Sequence, residues 1–414
     1  MAEITVFQCT VCHQTFDPAE IVYTCPTCGE VGTLDALFDY EKLKAQLDRD
    51  ALMARQEASI WRYRALLPLQ PDSPVPPLRV GMTPLYDAPR LADTLGVRQA
   101  WVKDDGQNPT ASYKDRASAM VVAHAMEVGY PIITTASTGN AAAALAGIGA
   151  SVGLRTLIFV PAAAPAAKIA QLRVYGAEVL LIEDTYDVAF DLCLQISQEQ
   201  GWYCRNTGIN PYTTEGKKTA SYEIAEQLGW NIPDVVVVSV GDGSIIGGLH
   251  KGFSDLHHLG WIERIPRLIG VQSSGSSPLV QAWEANVPAN EMRPVPAQSL
   301  ADSIVAGLPR DRVKALRAVR ETNGAYIAVD DSEILAAIPQ FARLTGVFAE
   351  PAAAASLAGA KRAVETGHIH PEESVVIVST GNGLKDVLRA QQAISSGTRV
   401  APTLAAVKNA LQLD

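Results

Sequence analysis

Nowhere in this chain of 414 residues does an apolar run approach the roughly 20 residues that a membrane-spanning helix needs. Its start, Met1-Ala2-Glu3-Ile4, lacks the basic and apolar regions of a secretory leader, so a cytoplasmic protein is expected. Positive charge is in deficit. Lysine and arginine number 34 against 44 acidic residues, and the formal net charge of −10 argues against nucleic acid or an anionic membrane as the main partner. An anionic ligand must therefore be held by local groups. No repeat appears, and no low-complexity tract beyond alanine-rich helical runs. None of the seven histidines forms an H-x-x-x-H pair, and no Gly-x-Ser-x-Gly elbow offers a serine nucleophile, so neither a histidine-metal centre nor a serine hydrolase is indicated.

What is present describes a globular body. Charged residues make up 19% and hydrophobic ones 48%, and the length suffices for two or three domains with a sizeable core. Four of the six cysteines cluster as Cys9-Thr10-Val11-Cys12 and Cys25-Pro26-Thr27-Cys28, with Gly29 suited to a tight knuckle turn. Two C-x2-C pairs can close one tetrahedral zinc site that staples a segment too short for its own core. Asp17, Glu20 and Glu30 surround the cluster, which lacks the basic flank of a nucleic-acid-binding ribbon. Cys193 and Cys204 read as core residues.

Residues 39–67 read as helix, rich in Leu, Ala, Lys, Arg and Glu, and five prolines between 68 and 77 then form an extended linker. Strand-like runs follow at 100–103, 132–135, 156–160, 178–182, 235–238, 268–271 and 375–378, with alanine- and leucine-rich helical runs between them. Such alternation predicts parallel sheets covered by helices, with ligands at the strand carboxyl ends.

Four segments sit where such ends should be. Lys114 falls between the run 100–103 and a helical run at 117–128. An ammonium at a helix amino terminus meets the positive end of the dipole, which favours the neutral amine that Schiff-base chemistry needs. The bland alternative is a solvated surface lysine. Ser137, Thr138, Gly139 and Asn140 follow a strand and open a helix, where backbone N–H groups bind carboxylates; an ordinary cap would read the same way. Gly241-Asp242-Gly243-Ser244-Ile245 follows another strand, and its glycines let the backbone approach a phosphate. No Gly-Lys-Ser/Thr follows, so a nucleoside triphosphate loop is not indicated, and the Asp242 carboxylate should point away. Ser379 and Thr380 follow the last strand and could cap a helix at 384–393.

Asn108-Pro109-Thr110-Ala111-Ser112-Tyr113-Lys114-Asp115-Arg116 resembles the Asn-Pro-Thr-Gly-Ser-Phe-Lys-Asp-Arg signature of the threonine synthase family, enzymes of the tryptophan-synthase-β-like fold that use pyridoxal phosphate (PLP). Gly81-Met82-Thr83-Pro84-Leu85 resembles the family's Gly-x-Thr-Pro-Leu, although Arg79 and Val80 stand where Gly-Glu-Gly is common. Thr214-Glu215-Gly216-Lys217-Lys218-Thr219 resembles its Glu-Gly-x-Lys-Thr segment. It would open a helix at 220–228 and offers Glu215 as a hinge contact. Ser379-Thr380-Gly381-Asn382-Gly383-Leu384-Lys385-Asp386 resembles its Ser-Thr-Gly-His-Gly-Leu-Lys-Asp, with Asn382 for His. Ala301-Asp302-Ser303-Ile304 and Glu350-Pro351-Ala352 resemble segments of related dehydratases. The likeness covers about residues 5–390.

The resemblance implies an α/β, two-domain fold type II enzyme with an N-terminal zinc-ribbon-like segment. The ribbon would be 1–38, the large PLP domain 39–105 and 214–414, and the small α/β domain 106–213. Lys114 would anchor PLP and do the acid–base work. Asn140 would bond the cofactor's phenolic oxygen, residues Gly241, Asp242, Gly243, Ser244 and Ile245 would cup its phosphate, and Thr380 would meet the pyridine nitrogen. Ser137, Thr138 and Gly139 would hold the substrate α-carboxylate; Ser112, Arg116 and Lys217, with Asn108, would hold a substrate phosphate. Cys9, Cys12, Cys25 and Cys28 would bind structural zinc. The implied reaction makes threonine and phosphate from O-phosphohomoserine and water, in a homodimer. A serine/threonine ammonia-lyase or a cysteate-synthase-like replacement enzyme would share these motifs. A binding or regulatory protein built on the ribbon, with an inactive body, would not need Lys114, both glycine loops and Thr380.

Overall fold

The computed structural model describes residues 4–21, 23–164 and 166–413; residues 1–3, read above for a leader, lie outside this range. Thirteen strands are described and form three sheets. Strands β1 (Ile4–Cys9), β2 (Thr15–Phe16) and β3 (Leu34–Phe38) make a small antiparallel sheet in the order β2-β1-β3. Two further strands, β4 (Leu85–Asp87) and β5 (Gln99–Asp104), start the large sheet. The chain then leaves it to build a second sheet from β6 (Ile132–Ala136), β7 (Arg155–Pro161), β8 (Glu178–Ile182) and β9 (Tyr203–Cys204), ordered β8-β7-β6-β9 and wholly parallel. It returns with β10 (Val235–Ser239), β11 (Arg267–Ser273), β12 (Ala325–Val329) and β13 (Ser374–Ser379). The large sheet is ordered β12-β11-β10-β13-β5-β4, parallel except for edge strand β4.

Strand β10 explains the layering. Its four consecutive valines are all buried, because a parallel sheet is covered on both faces. Val235 and Val237 enter one core cluster and Val236 and Val238 another, as a period of two requires. The second of these clusters also takes in Phe7 and Leu34, so the small sheet is packed into the main core. Burying each such side chain contributes about 1.5–3 kcal/mol.

The expected helix over 39–67 is not continuous. Asp39 caps a helix at Tyr40–Gln46, Leu47 turns extended, and Asp48 caps a second short helix at Arg49–Met53. A 3-10 segment, Ile60–Leu66, follows behind a Ser59 cap. Two Asx caps within ten residues outcompete helical composition. Near the return to the large sheet, residues 212–227 form two helices, Tyr212–Lys217 and Thr219–Gln227. Glu215 is buried there, with Lys218 Nζ 2.5 Å away. The tail carries a short helix, Leu404–Ala410. Among the described residues no helix is long and apolar enough to cross a membrane.

Candidate active site

Three parallel strands deliver their carboxyl ends to one cleft of ≈ 770 Å³, a volume suited to a cofactor and a small substrate. From β6 come Ser137, Thr138, Gly139 and Asn140; from β10 come residues 241–245; from β13 comes Thr380. Lys114 lines the same space as the first residue of the helix Lys114–Val128.

Local chemistry fixes that start. Thr110 donates its backbone N–H to the Asp115 carboxylate at 2.7 Å and its hydroxyl to the same group, closing the turn. Ala111 is held left-handed, φ 64°, a conformation that costs any residue with a Cβ and explains the glycine of the resembled signature. Tyr113 N–H donates to Thr380 O at 2.9 Å and Asn382 N–H to Ala111 O at 3.1 Å, so the lysine turn is sewn to the end of β13. Burial lowers the Lys114 amine below the ordinary lysine value and Arg205 lowers it further, while Glu350 pulls the other way.

Asn140 opens the helix Asn140–Ser151 and donates Nδ2 to both oxygens of Glu350, each at 3.0 Å. Glu350 is buried, and burial raises its carboxyl above the usual value despite Asn140 and Lys114. Residues of the two parallel sheets thus meet across the cleft. Gly243 is left-handed, φ 89°, and an added Cβ would lie 2.5 Å from Ala315 Cβ, so the turn into the helix Ser244–His258 requires glycine. The Asp242 carboxylate accepts Arg310 N–H at 3.2 Å.

Three of the expected substrate contacts lie elsewhere. Arg116 is fully buried away from the cleft, with Nε 2.6 Å from Asp105 and Nη1 2.5 Å from Glu223; two carboxylates already neutralise it. Ser112 is buried in a bridge to Gly381, its Oγ without a partner and outside the cleft lining. Asn108 accepts Gly81 N–H at 2.8 Å and donates to Asp105 O at 3.1 Å, so it serves the turn. Neither Ser379 nor Thr380 caps the following segment; Asn382 does, accepting Leu384 N–H.

Lys217 does line the cleft, fully buried, and its Nζ has no hydrogen-bond partner among the described residues. Beside it stands Arg205, which sequence reading passed over. Its Nη1 donates to Thr207 Oγ1 at 2.8 Å, but Nη2 is buried without a partner. Burial lowers Arg205 to about 10, so it stays charged at neutral pH, and burial and Arg205 together press Lys217 down. The only sequence signal for Arg205 was an arginine directly after the short strand β9, at a carboxyl end.

In the ribbon the sulfurs of Cys9, Cys12, Cys25 and Cys28 all lie within 4.8 Å of one another, with Cys12 and Cys25 3.7 Å apart. Tetrahedral zinc–thiolate bonds imply a sulfur–sulfur spacing of about 3.8 Å. Gly29 is left-handed, φ 63°, and makes the second knuckle turn.

A family model described as "Pyridoxal-phosphate dependent enzyme" matches residues 77–381. The threonine synthase of Methanocaldococcus jannaschii is 38% identical over 381 residues, 92% of each chain. That of Methanosarcina acetivorans is 38% identical over 405 residues, 98% of each. Among solved structures, threonine deaminase isoform 2 of Solanum lycopersicum superposes with a TM-score of 0.63 at 22% identity, covering 76% of this chain and 88% of that one. Maize serine racemase gives 0.64 at 21%, covering 75% and 91%. At these identities the structural likeness concerns the fold, which is type II.

Proposed function

The chain belongs to the threonine synthase family of pyridoxal-phosphate-dependent enzymes, and from that premise we propose how its cleft works. The family reaction is a carbon–oxygen lyase reaction that forms threonine and phosphate from O-phosphohomoserine and water. The residues present suit the cofactor: an amine with a lowered proton affinity, a glycine turn at a helix amino terminus, and a hydroxyl at the end of β13 surround a cleft of fitting size. Lys114 would anchor it, residues 241–245 would take its phosphate, Asn140 its phenolic oxygen and Thr380 its ring nitrogen. When bound, pyridoxal phosphate supplies the electron sink that makes protons at Cα and Cβ removable.

The chain's own groups do the rest. The loop Ser137, Thr138 and Gly139 would take the α-carboxylate at the helix start; Ser137 N–H is donated to Phe159 O and Gly139 N–H to Ser137 Oγ, which leaves the Thr138 N–H for it. The Lys114 amine removes the Cα proton and handles the proton at Cβ, general acid–base work by one well-placed group. Glu350 fixes the orientation of Asn140 through its two carboxylate oxygens. Arg205 and Lys217 bind the ester phosphate of the substrate and keep it after it leaves Cγ. That last pair carries the reading. A charged arginine and a lysine amine, both buried in the same cleft as Lys114 and in no ion pair among the described residues, suit a ligand that carries a phosphate besides its carboxylate. The test supplies O-phosphohomoserine, serine and threonine in turn. Threonine and phosphate from the first are expected; pyruvate or 2-oxobutanoate from the others, with no turnover of the first, would overturn the assignment.

The same reading extends to the rest of the molecule. The four-cysteine cluster holds structural zinc, supported by its sulfur spacing. The chain divides into a ribbon at 1–38, a large domain at 39–105 and 214–414, and a small domain at 106–213. Reduced thiols suit the cytoplasm. Leu404, Leu411 and Leu388 leave apolar surface exposed near the carboxyl terminus, which supports pairing with a second copy as a homodimer.

A further inference from the structure

The stretch 310–317 faces two ways. On its inner side it is moulded to the glycine loop. Arg310 N–H donates to the Asp242 carboxylate at 3.2 Å and Asp311 N–H to Asp242 O at 2.8 Å. The Ser244 hydroxyl donates to the Asp311 carboxylate. Ala315 occupies the space that a Cβ on Gly243 would need, and Lys314 that of one on Gly247. On its outer side the same stretch grips the four-cysteine ribbon. Arg310 Nη1 lies 2.6 Å from Glu30, Lys314 Nζ donates to Leu34 O at 2.7 Å, and Arg317 Nη2 lies 2.7 Å from Asp35.

Asp35 is the centre of that grip. It is 8% exposed, with Lys314 3.6 Å away as its second cation. Burial alone would raise its carboxyl, but Arg317 and Lys314 outweigh burial and hold it below the usual value, so it is ionised in the fold. In the β1–β3 ladder Leu34 pairs with Cys9 and Asp35 with Gln8, so a cysteine of the cluster and the ion pair occupy adjacent rungs. Contacts run without a gap from the cysteines, through β3 and 310–317, to the turn at Gly243.

We propose that 310–317 is a mount shared by the ribbon and the glycine loop, and that Asp35 is a positioning residue for the loop's hold on the cofactor phosphate. The inference rests on the reading that 241–245 receives that phosphate. It gives the ribbon a task in the cofactor site, although the cysteines lie outside the cleft.

The test compares pyridoxal phosphate with pyridoxal, which lacks the phosphate, as ligands of the cofactor-stripped full chain. Asp35→Asn should weaken pyridoxal phosphate about tenfold, a common size for coupling between sites, and leave pyridoxal unchanged. Glu30→Gln, at an exposed contact, should weaken it about twofold. Backbone amide exchange at 241–247 should quicken in both variants while that of β10 stays slow. A lowered melting temperature with equal or no change for both ligands means a merely structural ribbon and overturns the proposal. If Asp35→Asn does not fold, unaltered exchange at 241–247 in Glu30→Gln overturns it equally. Gly243→Ala separates the premise from the inference. If that variant does not favour pyridoxal over pyridoxal phosphate, the loop is not the phosphate seat. If it does while Asp35→Asn does not, only the mount is wrong.

Discussion

Two buried arginine–lysine pairs occur in this fold, and they are resolved in opposite ways. Arg116 and Lys103 meet two carboxylates: Asp105 lies 2.6 Å from Arg116, and Glu223 lies 2.5 Å from Arg116 and 2.6 Å from Lys103. Burial would raise the Glu223 carboxyl, yet Arg116 and Lys103 hold it down at about 2. Charges balance, every group is fully buried, and no room is left for a ligand. Arg205 and Lys217 are as deeply buried but have polar N–H groups without partners. A neutralised cluster belongs to the fold, whereas basic groups in no ion pair at a cleft are free to meet whatever binds there. Both arrays carry arginine and lysine, so composition cannot tell them apart; only the carboxylates can.

Lys114→Ala should give the largest effect. Turnover of O-phosphohomoserine should fall by at least about 10⁴-fold, the loss of general acid–base catalysis by the central amine, with the urea midpoint little changed. Arg116→Met should do the reverse. It leaves Asp105 and Glu223 buried without their main partner and should cost about 3–5 kcal/mol of stability, read as a shifted urea midpoint. A shift below about 1 kcal/mol would dissolve the contrast, because the balanced cluster would then not be structural.

Next comes Arg205→Met, which should lower kcat/KM for O-phosphohomoserine about 10²-fold, or about 2.7 kcal/mol. Stability should hold or rise, since an unpaired buried charge is removed. Arg205→Lys should retain more activity. Arg205→Met that unfolds the protein like Arg116→Met would show that the two arrays do one job.

The lysine turn and the two glycine-bearing loops were legible because their residue types are demanded by local backbone chemistry: a helix start at Lys114, a helix start after Gly139, a left-handed turn at Gly243. Strands β5 to β8, β10, β11 and β13 were legible as apolar runs. Strand β12 was not, since Ala325-Tyr326-Ile327-Ala328-Val329 is short and follows a helical stretch. The pairing of Arg116 was also hidden. Asp105 lies eleven residues away, but Glu223 lies on a helix more than a hundred residues later, and the place of Arg116 in its motif gave no hint of it. Conversely, Arg205 belongs to no quoted motif and becomes conspicuous only when its unpaired Nη2 is seen in the cleft. Spacing exposes what a residue does to its own backbone; it does not expose which distant charge answers it.

His124 supplies a third resolution of the same problem, and the smallest measurable effect. It stacks on Tyr212 with ring centroids 3.7 Å apart and shares a hydrogen bond with Tyr203 at 2.9 Å. No carboxylate pairs with it; burial lowers it from 6.5 to about 4, against a weak opposing pull from Glu127. It therefore escapes the cost of buried charge by staying neutral. The unfolded chain takes up a proton below about 6.5 that the folded chain refuses until about 4, so stability is full above 6.5 and declines as the pH falls through this window. The slope is at most about 1.4 kcal/mol per pH unit. Asp115 opposes it: burial raises this carboxyl from 3.8 to about 6, so the folded chain gains stability as the pH falls between those values. The measurement must thus be a difference. Urea midpoints of His124→Phe and the parent should diverge between pH 6.5 and 4, with the variant losing less stability in acid. Parallel curves would mean that the imidazole is solvated enough to carry its proton in the fold, and that a buried base without a carboxylate need not remain uncharged.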